Sequence, residues 1–221
     1  MQTFETTTPA TAVVDLPAGR LTVVAAERAD ATVDVRPANP SKSRDVEAAE
    51  RTTVDFTGGV LRVTTPVEHR ALGSSGFVDV TLQLPTGSRL EAKAASAEVR
   101  GVGRLGEVVV ETAHGDIKID EAAAARLGTQ AGSITVGRLT GSATLRTAKG
   151  DIRVDEATQG ALELATQLGD VSVGAAAGVT ASLDSGTALG RVRNALANTG
   201  GDVALQIRAT TAMGDISAHS L

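Results

Sequence analysis

Thr112–Ala122 reads TAHGDIKIDEA, and Thr147–Ala157 reads TAKGDIRVDEA. A second phrase interleaves with the first: TQAGSITVG at Thr129–Gly137 returns as TQLGDVSVG at Thr166–Gly174. The shared pattern, T-x-x-G-[D/S]-[I/V]-x-[I/V], sets equivalent apolar residues at Val99, Ile117, Ile134, Ile152, Val171, Val192 and Ile216, spaced 17 to 24 residues apart. A motif recurring at a nearly fixed short period marks a stack of like units, each burying its apolar side against the next. Around each motif the residues alternate apolar and polar with a bias to Val, Ile and Thr, the pattern of half-buried strands. A coil of this length holds two or three strands, and successive coils stack as parallel strands about 4.8 Å apart. The sequence therefore predicts an all-β chain whose residues 88–221 form a parallel β-solenoid (β-helix) of about seven short rungs.

The corner residues follow from that frame. Gly115, Gly132, Gly150, Gly169, Gly190 and Gly214 fall where a sharp turn calls for positive φ. Thr112, Thr129, Thr147, Thr166, Thr187 and Thr211, each three residues earlier, align as a ladder of β-branched hydroxyls. After the glycine comes an acidic column, Asp116, Asp151, Asp170 and Asp215, with Ser133 and Arg191 filling the remaining positions. Stacked carboxylates can bind calcium, but rolls that do so use a doubled-glycine repeat that this chain lacks. Two unit charges about 4.8 Å apart repel by only about 0.9 kcal/mol in water, so such a column stands without a cation. Turn-capping is the expected role of these aspartates, and neither metal nor cofactor is expected.

Residues 1–87 read differently, as a β-rich N-terminal cap over the first apolar rung of the solenoid. Strand candidates are TAVVDL, RLTVVAA, ATVDVR, TTVDFTGGVLRVTT and FVDVTLQLP, with Gly58-Gly59 as a hairpin turn. Asn39-Pro40 followed by SKSRDVEAAE predicts one short helix near residues 40–50, with Asn39 as its N-cap. Glu68–Gly76, EHRALGSSG, has no periodicity and reads as a loop. Phe4, Phe56 and Phe77, the only aromatic residues, are assigned to packing in this portion.

Composition narrows the function classes. The 221 residues carry 26 acidic and 21 basic groups, net charge -5, which leaves no footprint for nucleic acid or an anionic membrane. Without cysteine there is no disulfide framework, thiolate metal site or thiol nucleophile. The first residues, MQTFETTTPA, have neither a basic nor an apolar leader region, and no later run approaches a membrane span. The expectation is a soluble, cytoplasmic protein.

These residues resemble a bacterial family of β-strand-repeat proteins labelled putative adhesins, a domain of unknown function common in actinobacteria. The resemblance runs almost end to end, through MQTFET, VVDLPAGRLTVVAAE, SKSRDVEAAE, VDVTLQLPTGSRLEAKAASAEVRGVGRLGEV, the GDI rungs and LGRVRN. It implies a β-solenoid and brings no catalytic residues.

Three sets of residues are candidates for function. An outward row of Arg100, Lys118, Thr135, Arg153, Ser172, Arg193 and Ser217 alternates cations with small polar residues from Lys118 onward. Its cations Lys118, Arg153 and Arg193 suit either an extended anionic polymer or a solvated face of mixed charge pairs, the latter preferred. His69, His114 and His219 lack ligand spacing and read as surface residues. The last rung, around Ile216, has no evident cap: either its polar character shields it or it is available for pairing with another chain, which would allow homo-oligomerisation through the solenoid end. The preferred function is a non-catalytic scaffold or protein-interaction module with an unidentified protein partner. The alternatives are a polysaccharide-binding adhesin or a carbohydrate-active β-helix enzyme built on Asp116, Asp151, Asp170, Lys149 and Arg153. The repeat region has no aromatic platform for a sugar, so the enzyme is the lesser reading.

Overall fold

The computed structural model describes residues 1–66, 76–198 and 200–221, and nearly every element in it is a strand. His69 and the expected loop at Glu68–Gly76, apart from Gly76 itself, lie outside the described residues. Two units are present, Met1–Gly115 and Asp116–Leu221. The division read from the sequence, between residues 87 and 88, falls inside the first of them.

The first unit runs β1 (Gln2–Glu5), β2 (Thr11–Ala26), β3 (Asp30–Pro37), α1 (Ser43–Arg51), β4 (Thr53–Thr57), β5 (Val60–Thr64), β6 (Val78–Pro85) and β7 (Arg89–His114). β2 is its spine: β7 lies parallel along one edge, while β5 and then β6 lie parallel along the other. β3 pairs antiparallel with β6, and β1 with β3. The two apolar runs TAVVDL and RLTVVAA are thus one strand, bent at Gly19 (φ 137), where an added Cβ would sit 1.9 Å from the Val78 carbonyl oxygen. The Gly58-Gly59 hairpin forms as expected between β4 and β5, with φ of 60 and 78. Phe4 stacks on Phe56 with ring centroids 5.2 Å apart. Phe77 is not core: the alternation of β6 turns its neighbour Val78 inward and leaves Phe77 44% exposed.

The helix starts later than the sequence suggests. Its N-cap is Lys42, and Asn39 serves one turn earlier, where its side chain accepts a hydrogen bond from the Ser41 N–H. The inward side chain at the helix start is Asp45, 4% exposed, whose carboxylate accepts from the Asn39 and Phe77 N–H groups. A buried acid that receives two backbone donors pins the helix and the start of β6 together.

The second unit runs β8 (Ile117–Ala131), β9 (Ile134–Leu139), β10 (Ala143–Lys149), β11 (Ile152–Ala157), β12 (Gly160–Leu168), β13 (Val171–Ala175), β14 (Ala181–Leu189), β15 (Val192–Ala195), β16 (Leu205–Met213) and β17 (Ile216–Ser220). All pair in parallel, forming two ladders that meet at the glycine corners. One ladder stacks the second half of β8, β10, β12, β16 and β14. The other stacks the first half of β8, β9, β11, β13, β17 and β15. Ile117, Ile134, Ile152, Val171 and Ile216 form a continuous interior row, each no more than 1% exposed. The fold is a parallel β-solenoid of narrow core, filled by Val, Ile, Leu and Ala.

The stacking order differs from the chain order. β16–β17, last in sequence, lies between β12–β13 and β14–β15, so the outermost rung is β14–β15. Side-chain chemistry explains the inversion. The inserted rung offers Ile207, Ala209, Ile216 and Ala218 to the interior, all 0–2% exposed. The register-equivalent residues of the outermost rung include Ser185 opposite Ala209 and Asn194 opposite Ala218. A serine and an asparagine sandwiched between apolar rungs would lose hydration without gaining partners, so the more polar rung goes outside.

Candidate functional site

The corner of the second unit is built from three stacked columns. In the glycine column, Gly132, Gly150, Gly169 and Gly214 take φ from 145 to 152. A Cβ on Gly150, Gly169 or Gly214 would fall 2.0–2.1 Å from the carbonyl oxygen of the glycine on the neighbouring rung. Glycine is therefore needed for closeness as well as for φ. Gly190, expected to share the positive φ, does not, although it too abuts the Gly214 carbonyl. In the threonine column, the hydroxyls of Thr147, Thr166, Thr211 and Thr187 donate to the carbonyls of Gly132, Gly150, Gly169 and Gly214 at 2.9–3.0 Å. The hydroxyl bonds thus run from threonine to glycine.

The third column is the acidic one. Asp116 Oδ1 accepts from the Ser133 N–H (2.8 Å), and Ser133 Oγ from the Asp151 N–H (3.3 Å). Asp151 accepts from Asp170 (2.8 Å), Asp170 from Asp215 (2.7 Å) and Asp215 from Arg191 (2.8 Å). Each side chain caps the backbone of the next rung, and the sequence of caps follows the inverted order. Arg191 stands on the outermost rung, where no further N–H needs an acceptor; a guanidinium could not supply one. The replacement Asp170→Ala should lower stability by about 0.5–1.5 kcal/mol in denaturant titration, whereas Arg191→Ala should change it by less than about 0.5 kcal/mol.

The corner glycines and aspartates named from the sequence thus share one edge of this unit, except Gly115, which belongs to the first (φ 124, against the Ala97 carbonyl). The outward row is ordered Lys118, Thr135, Arg153, Ser172, Ser217, Arg193, so two serines separate Arg153 from Arg193 and the expected alternation fails. Arg153 is held by Asp155 at 2.5 Å. His114 and His219 are exposed. Ile216 is not at the solenoid end: it is 1% exposed, between Val171 and Val192. Oligomerisation through an uncapped rung at Ile216 therefore loses its structural basis.

The actual end is finished with polar groups. Asn198 clamps Ala181 on the outer edge of β14, accepting from its N–H and donating to its carbonyl, both at 2.9 Å. Ser220 Oγ accepts from the Ala197 N–H. The Asn198 clamp occupies part of the free edge, as proteins commonly do to prevent pairing with other chains.

One feature at this end went unread in the sequence. The residue before each corner glycine forms a further column, ordered Ala131, Lys149, Leu168, Met213, Leu189. Its last three members are large, apolar and 45%, 50% and 64% exposed. Val192, on the outermost rung, adds a fourth at 46%. The signal was present as the change from Ala and Lys to Leu, Leu and Met ahead of the glycine.

On the outer face of the β12–β16–β14 ladder a shallow depression of about 320 Å³ holds Glu163, Asp184 and Arg208. Arg146 engages Glu163 (2.8 Å) and Arg208 engages Asp184 (3.1 Å), so its acids are paired. In the first unit the Arg28 guanidinium hydrogen-bonds Asp30 and holds its carboxyl below the usual range. Stability from that pair is present at neutral pH and is lost as pH falls through the depressed value. Among the described residues no group of three or more His, Cys, Asp or Glu could hold a metal ion, and no helix is long and apolar enough to cross a membrane.

A family model described as Toastrack DUF4097 matches residues 13–220. The structure is similar to that of a putative adhesin from Bacteroides fragilis, with a TM-score of 0.50 at 12% identity over 98% of this chain and 95% of that one. A putative cell adhesion protein from Clostridium sporogenes matches at TM-score 0.36 and 9% identity over 100% of this chain and 98% of that one. A putative adhesin from Parabacteroides distasonis matches at 0.38 and 13% over 98% and 95%. At such identities the first likeness is one of fold alone. No curated protein matches the chain.

Proposed function

Because the chain belongs to the Toastrack DUF4097 family, whose model covers nearly all of it, we propose that it is a non-catalytic structural and interaction module that docks another protein along the corner row of its second unit. The observation that carries this reading is the exposure of Leu168, Met213 and Leu189 on three adjacent rungs of a rigid ladder. Apolar side chains at about 4.8 Å spacing on a preorganised backbone form a ridge that costs little entropy to bind. The ridge offers at most a few hundred Å², well below the roughly 800 Å² per partner of a stable interface. It suits a weak contact strengthened by repetition rather than a stable homodimer.

The name of the similar Bacteroides fragilis structure, a putative adhesin, agrees with a contact role. End-to-end self-assembly is not part of the proposal, because the outermost rung carries Arg191, Ser185, Asn194 and the Asn198 clamp. Cytoplasmic placement is retained, since a cysteine-free fold loses nothing in a reducing compartment.

A photo-crosslinking residue at position 213, with a control at position 146 on the flat face, tests the proposal in cells. The expected result is a discrete protein adduct from position 213 alone, whose purified partner binds the wild type and loses affinity at least ~10-fold for the Leu168→Gln/Met213→Gln/Leu189→Gln variant, or ~1.4 kcal/mol. Equal adducts from both positions, or binding indifferent to the variant, would contradict it.

A further inference from the structure

The inserted rung is flanked by equivalent neighbours. Ile207 faces Leu162 and Leu183, Thr211 faces Thr166 and Thr187, and Ile216 faces Val171 and Val192. The slot between β12–β13 and β14–β15 therefore recognises β16–β17 by its core and ladder residues, and every copy of this chain carries the same segment. What ties the segment to its own slot is the connection from β15 to β16, residues 196–204. Its described residues lie against the start of β14: Asn198 clamps Ala181, the Thr180 hydroxyl donates to the Gly200 carbonyl, and the Ala204 N–H donates to the Thr180 carbonyl. Gly200 and Gly201 make this return with φ of 97 and 102, and a Cβ on either would meet no atom within 4 Å. Alanine there strains the connection while leaving the coils untouched.

We propose that β16–β17 is an exchangeable segment, which a second copy of this chain supplies in trans to give a reciprocally closed dimer. The dimer keeps every contact of the inserted rung, so its balance against the monomer is set by concentration, by the Asn198 clamp and by the positive φ of Gly200 and Gly201. Leaving the slot breaks both ladders at once, so exchange is decided during folding and is slow in the native protein.

Single cysteines report on exchange cleanly, because the chain has none of its own. Glu163 and Arg208 are register partners on exposed faces of β12 and β16, within disulfide reach of each other. E163C and R208C are placed in separate chains, mixed, unfolded and refolded over a concentration series, in the wild-type and G200A/G201A backgrounds. Light scattering and non-reducing electrophoresis are then read together. The expected result is a dimer whose fraction rises with concentration, with a midpoint roughly tenfold lower for G200A/G201A. That dimer contains the disulfide joining E163C of one chain to R208C of the other, and mixing chains already folded gives none. Asn198→Ala, which releases the clamp, should shift the balance the same way. A dimer without the mixed disulfide, or monomer throughout in the wild-type background and with Asn198→Ala, overturns the proposal.

Discussion

Replacing Gly150 with alanine is expected to unfold the second unit or lower its stability by more than about 4 kcal/mol. Two terms add. A non-glycine residue at positive φ costs about 1–2 kcal/mol, and Gly150 has φ 145. The new methyl would also lie 2.1 Å from the Gly132 carbonyl oxygen and 2.5 Å from its carbon. Those are backbone atoms held by the Thr147 hydroxyl, so no side chain can swing aside to relieve the overlap. Total stability of a domain is about 5–15 kcal/mol, so one such corner is a large share of it. Gly128→Ala is the control: nothing lies within 4 Å of its Cβ and its φ is not positive, so alanine should be neutral or stabilise by up to about 1 kcal/mol. Thermal melts of the two variants against wild type separate these outcomes.

The second large effect distinguishes the two stacking orders. Ile216→Lys puts a cation into an interior row between Val171 and Val192, at a site 1% exposed. Desolvation of the ammonium without a partner should cost about 4 kcal/mol or more. Val192→Lys, at the equivalent position on the outermost rung and 46% exposed, should cost less than about 1 kcal/mol. Were the rungs stacked in chain order, the costs would be reversed, with Val192 enclosed and Ile216 outermost. Ile216→Lys therefore reports on folding of the unit rather than on assembly between molecules.

The repeat made the fold legible because one motif carries three physical requirements at once: a glycine with room for no Cβ, a threonine donor and an acceptor for the next N–H. Gly19 was missed as a corner because Pro17 and Ala18 precede it without the motif's threonine. The order of the last two rungs was not legible from periodicity, since β14 and β16 meet their neighbours in one register and both lead into the T-x-x-G step. The deciding signal was Arg191 in a column of acceptors, together with Ser185 and Asn194 where other rungs are apolar. Read as an interruption, Arg191 says little; read as the last residue of a chain of caps, it marks the end of the stack. The corner ridge needed no knowledge of the order, since Leu168, Leu189 and Met213 are adjacent either way. It leaves no periodic signal, because the residue before the corner glycine varies from His, Ala and Lys to Leu and Met along the chain.

Amide hydrogen exchange of the native chain, followed by mass spectrometry at peptide resolution, tests the inserted order most directly. Backbone amides bonded on both edges open only with the whole unit, while those on a free edge exchange through local opening. The structure predicts that residues 205–220 are protected as strongly as 152–173, and that 181–195 exchange far faster. Strong protection of 181–195 with rapid exchange across 205–220 would contradict the inserted rung, and with it the place given to Arg191 and the exchangeable segment.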